Sequence, residues 1–153
     1  MLERPAKDDK DINSKERIYS RMKDLTKFLI IGLGGFIGAN ARYVVGGWVQ
    51  SRMGASFPYG TFVINVTGCF ILGIFATLAL RFAWNDYWRL LIAIGFVGAY
   101  TTFSTFEYET LGLLAEGGQY LSAAINIIGS VTIGLFAAYL GVVAARILMR
   151  GRL

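Results

Sequence analysis

From residue 27 onward the sequence is four apolar runs, at about 27–50, 58–82, 88–115 and 120–149, joined by the short connections 51–57, 83–87 and 116–119. Each run exceeds the roughly 20 residues that an α-helix needs to cross ~30 Å of hydrocarbon. A backbone in lipid must pair its own amides, so runs of this length are expected as helices. Composition agrees: 55% of the 153 residues are hydrophobic and mean hydropathy is +0.52, values that soluble domains of this size rarely reach. The expected fold class is an all-α membrane protein of four transmembrane helices, with hairpin-length connections making successive helices antiparallel neighbours.

We divide the chain into a charged tail, residues 1–25, and a four-helix transmembrane domain, residues 26–150. The tail holds seven Lys/Arg and six Asp/Glu. It reads as a loose segment or, because Ile12, Ile18, Met22, Leu25 and Leu29 recur at helical intervals, as an interfacial helix leading into the first span. The first run is long, starts only after 26 residues and lacks a small-residue cleavage site, so it is not a cleaved signal. One cysteine, Cys69, and no histidine argue against a disulfide framework, a zinc site or a His-based triad. With no nucleophile-base pair, nucleotide loop or metal-ligand cluster, an enzyme is not expected.

Four spans put both termini on one side, with the connection 83–87. That side carries Lys10, Lys15, Arg17, Arg21, Lys23, Lys27, Arg81, Arg89, Arg146, Arg150 and Arg152, against Arg52 opposite. The positive-inside rule therefore places both termini in the cytoplasm. The glycines of the spans, with small-xxx-small spacing at Gly34 and Gly38 and at Ala137, Gly141 and Ala145, read as close helix packing. Four helices of this size scarcely enclose a pathway, so at least a dimer is expected.

Polar side chains at membrane depth are costly and face a protein interior or water. Arg42 must pair, snorkel or face a vestibule. Asn65 and Thr61 share one face of the second span, and the Asn65 amide suits either an anion or an interhelical hydrogen bond. Ser122, Asn126 and Ser130 form a stripe on the fourth span, with Thr132 on another face. In GAYTTFSTFEYET, residues 98–110, Phe103 and Phe106 share one face and Thr102, Thr105 and Glu109 another. Phe pairs at this spacing usually pack, yet a ring edge is electropositive and an anion can approach it. Glu107 and Glu109 point in different directions, and a proton-coupling role needs one of them buried.

The run GFVGAYTTFSTF, residues 95–106, with the Asn of TFVINVTG and the Arg of GANARYVVGG, resembles the signature of the Fluc (CrcB) fluoride channels, over roughly residues 28–149. The resemblance implies a small four-helix protein that assembles as an antiparallel, dual-topology dimer, with two fluoride pathways at the subunit interface and one central structural sodium ion (Na+). It implies a third helix broken at Gly98 to Thr101, whose Gly98 and Thr101 carbonyls from both subunits ligate the sodium. Phe103 and Phe106 match the family's pore phenylalanines, Asn65 its pore asparagine, Thr61 and Glu109 its polar pore end, Ser130 a track hydroxyl and Arg42 a vestibule arginine. Position 126, often a small hydroxyl residue in the family, is Asn here.

The function implied is passive, selective fluoride export across a bacterial inner membrane, with Asn65, Ser130, Thr102 or Thr105 and Asn126 replacing the ion's water. A proton-coupled exporter using Glu107 or Glu109 is the alternative, and a structural protein without transport a third reading. The expected partners are fluoride, the bilayer and a second subunit, with no nucleic acid. Dual topology favours balanced charge, so the excess on one side leaves two options: a homodimer that overrides the bias, or a pair with an oppositely oriented paralogue.

Overall fold

The computed structural model describes residues 9–115 and 118–150. Among these every regular element is helical and no strand occurs. Four segments are long and apolar enough to cross a membrane: Tyr19–Met53, Tyr59–Arg81, Asp86–Ala115 and Tyr120–Arg150.

The first helix, α1, runs without interruption over Asp9–Met53. At 1.5 Å per residue its 45 residues extend ~67 Å, about twice the hydrocarbon thickness. The tail from Asp9 is thus helical and continuous with the first span. In it Lys23 lies 4.4 Å from the Tyr19 ring centroid and Lys27 pairs with Asp24 at 3.1 Å. Met22, Leu25 and Leu29 of the expected apolar face are exposed; Ile12 and Ile18 lie outside the described side chains. The helix ends at Gly54, whose φ of +88° is the left-handed conformation that closes a helix at little cost to glycine.

Helix α2 spans Tyr59–Arg81. A tight turn through Ala83, at φ +46°, leads to Asn85, whose Oδ1 accepts from the Tyr87 amide at 3.0 Å and caps the short α3, Asp86–Trp88. The third span then changes form. Residues Arg89–Val97 are π-helical, α4 is the single turn Gly98–Tyr100, and α5 is Phe103–Ala115. The last helix, α6, spans Tyr120–Arg150.

Backbone contact between small residues holds these helices together. A Cβ at Gly34 would overlap the Leu91 carbonyl oxygen and one at Gly38 the Phe96 carbonyl oxygen, so α1 lies directly on the π-helical backbone. On the other side, Gly73 of α2 sits against the Ala138 carbonyl and Gly141 of α6 against the Phe70 carbonyl. The most extensive packing is between α2 and α6, followed by α1 against the π-helical segment. With no water to squeeze out between apolar helices in lipid, such close approach is the main source of association.

Helical geometry stops at Tyr100 and resumes at Phe103, with Thr101 extended at φ −83°, ψ 159°. Gly98 is itself helical, at φ −61°, ψ −31°. The non-helical residues of the third span are thus 101 and 102.

Candidate functional site

Four residues from α1 and α2 converge on the stretch from Tyr100 to Thr102. Asn65 makes a reciprocal pair with one residue: its Nδ2 donates to the Thr102 carbonyl at 3.0 Å, and its Oδ1 accepts from the Thr102 amide at 2.8 Å. Arg42 Nη1 donates to the Thr101 carbonyl at 3.4 Å. Thr67 Oγ1 lies 2.9 Å from the Tyr100 hydroxyl. Gly68 has room for no side chain, because a Cβ there would overlap Thr101 Cγ2.

These contacts change the hydrogen-bond ledger of the third span. In an uninterrupted α-helix the amide of residue i donates to the carbonyl of i−4, so Thr102 would serve Gly98 and Thr105 would serve Thr101. Here the Thr102 amide goes to Asn65, and the Thr105 amide goes to Thr102 Oγ1 at 3.3 Å. Gly98 and Thr101 each lose the α-helical donor for their carbonyl. Carbonyl oxygens are hard ligands suited to a cation such as sodium, and Gly98 is exposed on the subunit surface. The Gly98 carbonyl thus fits the ion that the resemblance implies, whereas the Thr101 carbonyl already accepts from Arg42.

Two cavities flank the interruption. One of about 430 Å³ gathers Arg42, Thr61, Thr102, Thr105 and Glu109, with Gln50 at its wall. Thr61 Oγ1 donates to Glu109 Oε1 at 2.9 Å, while Glu109 Oε2 is buried with no partner among the described residues. The second, about 240 Å³, is lined by Asn65, Thr101, Thr102 and Phe103, with Cys69 and Leu72. Thr102 faces both, and its hydroxyl donates to Thr105 Oγ1 at 3.0 Å.

A separate polar cluster lies between α5 and α6. Asn126 is 1% exposed; its Nδ2 donates to Thr110 Oγ1 at 2.9 Å, and its Oδ1 accepts from Ser130 at 3.4 Å. Thr110 in turn donates to the Phe106 carbonyl at 2.7 Å. The two phenylalanines part company here. Phe106 is 7% exposed and Phe103 is 73% exposed, their centroids 5.8 Å apart with rings tilted by 39°.

Of the sequence candidates, the fold brings Arg42, Thr61, Thr102, Thr105 and Glu109 into one cavity, Asn65, Thr101 and Phe103 into the next, and Phe106, Asn126 and Ser130 into the α5–α6 cluster. Glu107 is exposed and belongs to none of them. Thr132 bonds back to the Ile128 carbonyl at 2.7 Å. Sequence reasoning missed Thr110 and Gln50. The first looks like one more hydroxyl bonding its own helix, since its partner stands 16 positions away. The second reveals itself only through its bonds across the first connection, to the Gly60 amide at 2.9 Å and the Phe57 carbonyl at 3.0 Å.

Residues 29–142 match the family described as CrcB-like protein, Camphor Resistance (CrcB). Among curated proteins, the "Fluoride-specific ion channel FluC" of Acidobacterium capsulatum is 52% identical over 118 residues, covering 76% of this chain and 94% of that protein. The protein of the same name from Solibacter usitatus is 49% identical over 121 residues, covering 78% and 98%. That from Thermus thermophilus is 42% identical over 115 residues, covering 75% and 90%.

Proposed function

The chain belongs to the CrcB family, and on that premise we propose that it is a passive, fluoride-selective channel through which fluoride leaves the bacterial cytoplasm. The relatives are named as fluoride-specific channels. The observation that carries the reading to this chain is the interrupted third span, where hydroxyl and amide donors, two phenylalanine rings and the Gly98 carbonyl, which has lost its helical donor, stand within a few residues of one another.

Fluoride is small and strongly hydrated, so the path must replace its water with closely spaced donors. Asn65 and Asn126 each keep one amide N–H after the bond they make inside the chain. Thr105 keeps its hydroxyl proton after accepting from Thr102. The edges of Phe103 and Phe106 offer weak positive potential without a full charge that would trap the ion. Arg42 and Glu109 set the electrostatics of the vestibule.

The subunit acts as one half of a dimer. Gly98, Ser104 and Thr105 are exposed, and backbone and hydroxyls at membrane depth need protein or water against them. Pairing two copies in opposite orientation lets the Gly98 and Thr101 carbonyls of both hold a central sodium. When bound, that ion supplies fixed positive charge beside the anion path.

Liposomes carrying the purified protein, loaded with fluoride and read by a fluoride electrode, test the function. Efflux well above protein-free vesicles, with chloride retained, is expected; efflux equal to the control overturns the channel, and equal chloride efflux overturns the selectivity. Activity of the chain expressed alone as a dimer favours the homodimer over paired paralogues. One observation favours a second reading: Glu109 Oε2, without a partner among the described residues, is a place for a proton. A reversal potential that follows the fluoride gradient alone excludes proton coupling, and one that shifts with pH establishes it.

A further inference from the structure

The Asn65 carboxamide stands in for a peptide group. We infer that Asn65 is a positioning residue for the interruption of the third span: by binding both the amide and the carbonyl of Thr102 it holds that residue out of the helix and keeps the Gly98 carbonyl open to a cation. An amide side chain has the donor and acceptor of a backbone unit, side by side, and here both meet the same residue at 3.0 and 2.8 Å. The reach is fixed by packing. Three residues along α2, Gly68 has no room for a Cβ against Thr101 Cγ2, and Thr67 meets the Tyr100 hydroxyl. This part of α2 is thus seated on residues 100–102.

The consequence follows from competition for one proton. If Asn65 released the Thr102 amide, that amide would return to the Gly98 carbonyl and add a helical turn. A buried amide left without an acceptor is costly, so the two states exclude each other. Asn65 thereby spends one N–H on structure and keeps one for the pathway. Its effect on the cation reaches through Thr102, without contact to the ion. This part rests on the sodium reading above.

The test compares full-length wild type with Asn65→Ala and Asn65→Asp in detergent, by hydrogen exchange over residues 98–105 and by sodium-dependent thermal stability of the dimer. Asn65→Ala is expected to change exchange over 98–105 by about tenfold or more, as for loss of one buried hydrogen bond, and to abolish the stabilisation by sodium while the dimer persists. Asn65→Asp keeps the acceptor for the Thr102 amide, so its exchange and sodium response stay closer to wild type although its charge opposes fluoride flux. Unchanged exchange and sodium response in Asn65→Ala, with flux alone reduced, overturn the proposal and leave Asn65 as a pathway donor. A wild type indifferent to sodium overturns the sodium reading; the exchange result still judges the positioning role. A measurement without variants guards against misfolding. In the wild type labelled with 15N-asparagine, one Asn65 carboxamide proton is expected to exchange slowly and the other fast; two fast protons overturn the proposal.

Discussion

The cluster at residues 101–102 and the cluster between α5 and α6 contain similar side chains, Asn with Thr in each, and use them oppositely. Asn65 bonds only to main chain, replacing helical hydrogen bonds that the third span has given up. Asn126 bonds only to other side chains, between two helices whose ladders are intact. In the first cluster side chains fix where the backbone goes. In the second the backbone fixes where the side chains go, lining up Thr110, Asn126 and Ser130 beside Phe106. A polar group in a membrane helix can therefore be structural, conductive or both, and which it is depends on its partner rather than its type.

The largest effect separating the clusters is expected at Asn126. Asn126→Ala empties a fully buried site and removes an acceptor from Ser130, so unfolding of the dimer in detergent should lose about 2–4 kcal/mol. Fluoride efflux should fall as well. A variant within about 0.5 kcal/mol of wild type breaks the comparison, because Asn126 would then be as replaceable as a surface residue.

Thr61→Val comes next. It preserves shape but removes the donor to Glu109 Oε1 at 2.9 Å, leaving a carboxyl whose other oxygen already lacks a partner among the described residues. A loss of about 1–2 kcal/mol is expected in the same unfolding measurement. Arg42→Lys should cost less, about 0.5–1 kcal/mol, since the bond to the Thr101 carbonyl is long at 3.4 Å and an ammonium keeps the charge without the planar fork. If Arg42→Lys proves more damaging than Thr61→Val, the guanidinium's bond to the Thr101 carbonyl contributes more than its 3.4 Å length implies.

The four spans were legible because nothing but helix can carry apolar runs of 24 or more residues through lipid. The π-helical form of Arg89–Val97 was not. In RLLIAIGFV nearly every side chain is apolar, so hydrophobic period cannot separate 3.6 residues per turn from a wider coil. The residues that accommodate it, Gly34 and Gly38, lie on another helix. At the site, the signature stretch marked Phe103, Phe106 and the threonines, but residue spacing offered Asn65 an anion or another helix as its partner. Its partner is the main chain of Thr102, and backbone partners leave no trace in residue identity. Asn126 was visible as part of a stripe, whereas its bond to Thr110 depends on how α6 lies along α5.

The smallest effect on stability and a large one on transport should coincide at Phe103. At 73% exposure its ring adds little to the subunit's own packing, so Phe103→Ile should move the unfolding midpoint by the equivalent of about 0.5 kcal/mol or less. The same change replaces an electropositive ring edge beside Asn65 and Thr102 with an aliphatic surface that a desolvated anion avoids. Efflux should drop at least about tenfold, corresponding to about 1.4 kcal/mol in the barrier. Phe106→Ile is the control: at 7% exposure its ring is part of the packing, so it should lose flux and stability together. Equal stability losses at the two positions would show that both rings serve packing. A flux loss at Phe103 with unchanged stability assigns that ring to the pathway.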